Sequence, residues 1–366
     1  MPHPSAVEPV PEPLSHGRRP PLHALTSIRF FAAIYVVFFH TPLRSMLPGQ
    51  LLRNFLASGY TGVTLFFALS GFILAYNYPH VRSRRAFWIA RFARIYPVYI
   101  VAVFAALVLQ LANPITRHTP QLPQIIFANI FLVQAWWGPW AMVLNSVGWT
   151  LSVEAFLYAV FPFAIGLCHR AKRWQIALLA AVYLLWVLPA VVLVHTMDTT
   201  RMAAFTESTI PLIRLATFLF GMLAGVRFSR GQQAPRWLLP LSITAALCLL
   251  CWAPPYYAVS LRTMCLTYAY VGLIYSLATV EWPPLTNRWL LLGGEISYSI
   301  YLLQVVVLRI FSGIFNRLTH NRYASISEIL GVPLLIVVCY FSFRCIELPA
   351  RNWIRSALRP RPPPAK

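Results

Sequence analysis

Charged side chains are scarce in this chain. They make up 11% of its 366 residues, and only nine of them are acidic. A soluble globular domain carries about 25%, so an ordinary water-facing surface is excluded. The sequence has no Gly-rich phosphate loop of the kind that cradles nucleotides ahead of a helix, and no repeat at a fixed period. No cleavable signal sequence is expected, because a polar, Pro-rich stretch over 1–22 precedes a first apolar run that reads as a retained span. Cysteine is sparse as well. Cys248 and Cys251 form a Cys-x-x-Cys, but inside an apolar run without nearby His or acidic partners, so packing is expected there rather than metal or redox chemistry.

What is present is apolar. Hydrophobic residues reach 58% and the mean hydropathy is +0.64, and runs of about 20 such residues are long enough to cross a bilayer as helices. The expected fold is an all-α integral membrane bundle of about ten transmembrane helices. The runs fall at about 26–46, 58–77, 95–112, 147–167, 174–194, 209–228, 237–253, 260–280, 288–312 and 327–346. A shorter piece at 124–137 reads as re-entrant or interfacial. With alternating spans, nineteen Lys and Arg fall on one side and seven on the other, which puts both termini in the cytoplasm. The formal charge of +21 is then accounted for by loops that hold topology and touch anionic membrane lipid, with no nucleic acid implied. The division expected is a Pro-rich tail at 1–22, one transmembrane domain at 23–348 and a basic Pro-rich tail at 349–366, with no room for a second soluble domain.

Within this apolar background, Arg29 and His40 stand on one stretch, IRFFAAIYVVFFH. Eleven steps are about three helical turns, so both side chains leave one face, roughly 16 Å apart along the axis. Ionisable groups in a membrane helix are costly and mark a substrate or proton path. Counted from the outer ends of their spans, His40 and Glu154 fall at similar depth, which predicts a dyad with Glu154 orienting the imidazole. At the other end, Arg91 and Arg94 lie three apart on one helical turn, suited to one anion such as a phosphate, and Glu295 is placed to pair with Arg29. Trp140, Asn145 and Trp149 gather near the outer surface, where flat apolar faces beside an amide suit a sugar ring or form the interfacial belt of any membrane protein. Arg214, at outer depth, is suited to an anionic acceptor or to pairing with Glu207.

The segments LTSIRFFAAIYVVFFH, GYTGVTLFFALSGFILAY, FWIARFARIYPVY, SVGWTLSVEAFLYAVFP, PLIRLATFLFGMLAG, GGEISYSIYLLQ and CIELPARNWI resemble, in order, the blocks of the membrane acyltransferase-3 family. The resemblance covers about residues 24–355. Its Arg-x10-His signature falls on Arg29 and His40, its Arg-rich entry to the third span on Arg91 and Arg94, its Ser-x-Glu block on Ser152 and Glu154, and its late Glu-x-Pro-x-Arg on Glu347, Pro349 and Arg351. Two positions depart: Thr217 stands where many members carry an acidic residue, and Gln304 where members commonly have His. Neither is expected to touch the Arg29/His40 pair. The resemblance implies a multi-pass protein of a bacterial inner membrane. It implies an O-acyltransferase, in the first place an O-acetyltransferase, that uses cytoplasmic acyl-CoA as co-substrate, with no tightly bound cofactor and no metal. The acceptor implied is a hydroxyl of an extracytoplasmic or lipid-linked carbohydrate, as in exopolysaccharide or O-antigen synthesis.

Residues and resemblance together predict that Arg91, Arg94 and Arg29 hold the donor phosphates. His40, held by Glu154, takes the proton of the acceptor hydroxyl, either for direct attack or through an acyl-His intermediate. The rival reading is a transporter or flippase of lipid-linked carbohydrate in which His40 and Glu154 relay protons. Against it stands the lack of repeated halves.

Overall fold

The computed structural model describes residues 19–185, 209–254, 259–280 and 282–357. Among these, every regular element is a helix. Long helices occupy the apolar runs: α1 (His23–His40), α2 (Gly62–Asn77), α3 (Arg84–Ala112), α4 (Trp149–Arg170), α5 (Arg173–Leu185), α6 (Pro211–Ser229), α7 (Leu238–Cys251), α8 (Val259–Thr279), α9 (Arg288–Leu318), α10 (Val332–Ser342) and α11 (Leu348–Ala357). Seven of the described helical segments are long and apolar enough to cross a membrane; α5, α7 and α8 are not among them. The surface has the matching character. Phe104, Val108, Leu167, Leu247 and Phe341 all point outward, as side chains facing lipid do and side chains facing water seldom do.

Local sequence sets the ends. Ser83 caps α3 by accepting from the Ala86 amide at 3.2 Å, and Asn287 caps α9 by accepting from the Trp289 amide at 2.9 Å, each satisfying a donor the helix leaves open. Pro42 disfavours helical backbone at the residue before it, and Thr41 is extended at φ −96°, ψ 161°. α1 therefore ends at His40, not near residue 46 as its hydropathy suggests. The 124–137 piece forms a helix too short to span, Leu122–Ile130, followed by a single turn at Gln134–Trp136. At the far end, α10 runs through a π-helical turn, Phe343–Glu347, into α11. The stretch read as the start of a basic tail is thus helical to Ala357. The end of the fifth run, Arg201 and Glu207 lie outside the described residues.

Contacts along the helices fix the direction of two pairs. Gly294 of α9 lies against Thr26 of α1, and Gln304 of α9 lies against His40, so α1 and α9 run parallel. Gly221 of α6 lies against Ala68 of α2, and Gly225 against Phe72, so these two are parallel as well. A methyl at Gly221 would collide with the Ala68 carbonyl, and one at Gly294 with the Thr26 carbonyl; both seams need the missing side chain. The ends of α2, α4 and α6 gather at one face, where His80 stacks on His169 at 5.5 Å and Arg230 donates to the His169 carbonyl at 2.6 Å. This is the cation-rich end of the bundle. Arg262 is buried in α8 and donates to Ser58 and to the Trp252 carbonyl, both at 2.9 Å.

Candidate active site

One and a half turns into α1, Arg29 opens onto a cavity of about 620 Å³, its mouth included. α2 supplies the apolar wall through Val63, Phe66 and Phe67, together with Ser70; α3 supplies Arg94, α4 Glu154, and α9 Ser297, Tyr298 and Tyr301. Glu154 Oε1 accepts from the Tyr158 hydroxyl one turn along α4. The Tyr298 hydroxyl donates to the Ile95 carbonyl, tying α9 to α3. Arg29 shares the cavity with Arg94 and Glu154 and lies within the electrostatic reach of Tyr158 and Glu347. Glu347, only 1% exposed, is delivered by the π-helical turn and lies 3.5 Å from the Ser299 hydroxyl. A carboxylate so deeply buried needs a cation nearby, and the guanidiniums provide it.

Arg351, from α11, extends this network toward the cation-rich end, with Arg94, Glu347, Glu295 and Arg91 around it. Arg91 sits behind Tyr158. Its guanidinium lies over the rings of Tyr78, Phe87 and Tyr158 at 5.4, 5.8 and 6.0 Å, and Nη2 donates to the Tyr78 hydroxyl at 3.2 Å. Arg91 Nε and Arg351 Nε are buried and have no hydrogen-bond partner. Buried donors of a permanent cation are seldom left open, so this end offers spare capacity for an acceptor-rich anion.

His40 stands apart from the cavity. It is the last residue of α1, and its Nδ1 meets the Val36 carbonyl at 2.9 Å. A carbonyl only accepts, so Nδ1 carries the hydrogen and the neutral ring keeps its lone pair on Nε2. Phe39 packs edge-on to the ring at 5.0 Å, Gln304 lies against it, and Arg309 adds a positive charge nearby.

The structure thus brings Arg29, Arg94 and Glu154 together but separates Glu154 from His40. The expected dyad fails because α1 stops at His40, which puts the imidazole at the helix end, while Glu154 turns to Tyr158 and the Arg29 cavity. Glu295 is exposed on α9 and faces Arg351, not Arg29; Glu347 holds the place foreseen for it. Gln304, expected to be remote from the pair, touches His40.

The outer residues divide by role. Arg214 lies over the Trp149 ring at 5.8 Å, and Trp149 packs edge-on to Phe67. Asn145 is buried with both ends engaged: Nδ2 donates to the Leu302 carbonyl at 3.0 Å, and Oδ1 accepts from the Val147 amide at 3.3 Å. It braces the loop ahead of α4 against α9. Trp140 donates from Nε1 to Gln121 Oε1 at 3.0 Å. Tyr158, Tyr298 and Tyr301 were not singled out by sequence reasoning. A usable signal was there for α9: Ser297, Tyr301 and Gln304 recur at i, i+4 and i+7, a polar stripe on an apolar helix.

Comparison with known proteins gives the family. The acyltransferase domain family, Acyl_transf_3, matches residues 22–343. The chain is 26% identical to the acyltransferase MdmB of Streptomyces mycarofaciens over 319 residues, 79% of each chain. It is 23% identical to the O-acetyltransferase OatA of Staphylococcus aureus over 90% of this chain and 57% of that one, and 22% identical to a putative acetyltransferase, ORF330, of Acidianus two-tailed virus over 76% of this chain and 80% of that one. No solved structure matches. With its ordered helices, its Arg29 cavity and a family match across most of its length, this chain belongs to the acyltransferase-3 family of multi-pass membrane proteins.

Proposed function

We propose that this protein is an acyl-CoA-dependent O-acyltransferase of a bacterial inner membrane. It carries an acyl group, acetyl in the first place, from the cytoplasm to a hydroxyl of an extracytoplasmic or lipid-linked carbohydrate. The observation that carries this reading is the division of labour along α1. Arg29 and Arg94 line one cavity, Arg91 and Arg351 hold spare donors, and His40 presents Nε2 at the other end of α1 from Arg29. Guanidinium groups suit the phosphates of the donor. An extended arm reaching about 16 Å along α1 brings a thioester from that cluster to the imidazole. The relatives named as acyltransferase and O-acetyltransferase support the chemistry, and the pair of Trp137 and Trp140, with ring centroids 6.0 Å apart, supports a sugar ring as acceptor.

In this scheme His40 Nε2 takes the proton of the acceptor hydroxyl as its oxygen attacks the thioester carbonyl. The new C–O bond forms, the C–S bond breaks, and the departing thiolate takes the proton back from the imidazolium. Glu154 and Glu347 balance the guanidiniums that hold the donor. The test is incubation of purified wild type and His40→Ala with acetyl-CoA labelled in the acetyl group and lipid-linked glycans from the host. Label on carbohydrate with wild type alone is expected, with donor binding retained in the variant. An active His40→Ala protein would remove the imidazole from the chemistry, and absence of both transfer and donor binding in wild type would overturn the reading.

A further inference from the structure

Gln304 is completely buried. Its Nε2 donates to the Tyr301 carbonyl, one turn back on α9, at 2.8 Å. That bond fixes which way round the amide stands, because the reversed amide would put oxygen against oxygen. The leftover acceptor, Oε1, is buried and has no donor, while the side chain as a whole lies against the His40 ring. The ring's Nδ1 is committed to the Val36 carbonyl, so the neutral imidazole offers Gln304 only a lone pair. The amide oxygen is closed off from water while the ring itself reaches solvent, and the neutral imidazole gives that oxygen no donor. Protonation of Nε2 gives Oε1 the donor it lacks.

We propose that Gln304 is a positioning residue that selects the imidazolium form of His40, the form reached when the acceptor hydroxyl gives up its proton. The inference rests on the reading of His40 as the base. The charge of Arg309 acts on the ring and opposes that form, so the neutral amide offsets a cation without adding a carboxylate to the apolar interior. Tyr301 joins the two halves of the machinery: its ring lines the Arg29 cavity, its hydroxyl donates to the Val147 carbonyl at 3.2 Å, and its own carbonyl orients Gln304.

The experiment compares Gln304→Leu and Gln304→Glu with wild type under saturating acetyl-CoA and glycan acceptor. Loss of the acceptor atom in Gln304→Leu is expected to lower kcat about tenfold with KM for acetyl-CoA and thermal stability unchanged, and Gln304→Glu, kept protonated by burial so that its hydroxyl takes over the bond to the Tyr301 carbonyl while its carbonyl oxygen is left for the ring, to return kcat to within about threefold. Equal losses in both variants, a fall in stability alone, or unchanged kcat in a folded Gln304→Leu protein would overturn the assignment. Should wild type transfer nothing, the functional reading falls separately. Gln304 is then judged from nitrogen NMR of the histidine ring, identified by its loss in His40→Ala: a shift of the Nε2 resonance in Gln304→Leu supports the contact, and an unmoved one refutes it.

Discussion

At the scale of single residues, the cavity depends on groups that answer one another's charge. Arg94 shares the cavity with Arg29, so Arg94→Gln should act on donor affinity. The expected result is a rise of about tenfold in KM for acetyl-CoA with kcat largely kept, as expected for loss of a charge-assisted contact made equally in ground and transition states. Tyr158→Phe removes the hydroxyl that donates to Glu154 and leaves the carboxylate short of a partner. A loss of about 1–3 kcal/mol in stability is expected, read as a lower thermal midpoint in detergent. Arg29, His40, Arg94 and Glu154 were legible in the sequence because a charge in an apolar run is conspicuous. Glu347 was named only as part of the late Glu-x-Pro-x-Arg block, and its place near Arg29 was not legible, because it follows the last hydropathic run and only the π-helical turn tucks it under Ser299. Nor was the separation of Glu154 from His40 legible by counting depth from a hydropathic boundary. The Thr41–Pro42 step held the correct boundary, since the residue before proline avoids helix.

At the scale of elements, the two glycine seams do different work. The α2–α6 seam is architectural: Gly221→Ala would push its methyl into the Ala68 carbonyl, and overpacking of this kind costs about 1–3 kcal/mol. Its checking measurement is thermal stability, with residual activity per folded molecule expected to stay near wild type. The α1–α9 seam carries the site itself. Gly294→Ala would force α9 away from Thr26, three residues before Arg29 and four before Tyr298, so activity should collapse at least as far as stability does. Equal residual activity per folded molecule in the two variants would show that the α1–α9 spacing does not matter to catalysis. Helix positions were readable from hydropathy because each run must bury its own backbone in lipid. Which helices touch was not readable, since apolar faces of similar composition do not name their partners.

At the scale of the whole molecule, the cation-rich ends of α2, α4 and α6 meet at one face, and His40 lies toward the opposite one. If that face is cytoplasmic, Ser83→Cys, beside the start of α3, should react with a membrane-impermeant maleimide only in inside-out vesicles. Gln50→Cys, in the helix Gln50–Ala57 just beyond α1, should react only in right-side-out ones; both are made in a variant without the six native cysteines. The reverse pattern would invert the topology. One further consequence follows from α1 bearing both Arg29 and His40. Their separation is counted in whole residues, so no substitution between them can lengthen or shorten it. A single inserted residue would swing the imidazole by about 100°, out of register with Gln304. Drift in donor size among related chains must therefore be absorbed by the cavity walls, while the interval itself evolves only by insertion or deletion, each of which disconnects the ring at once.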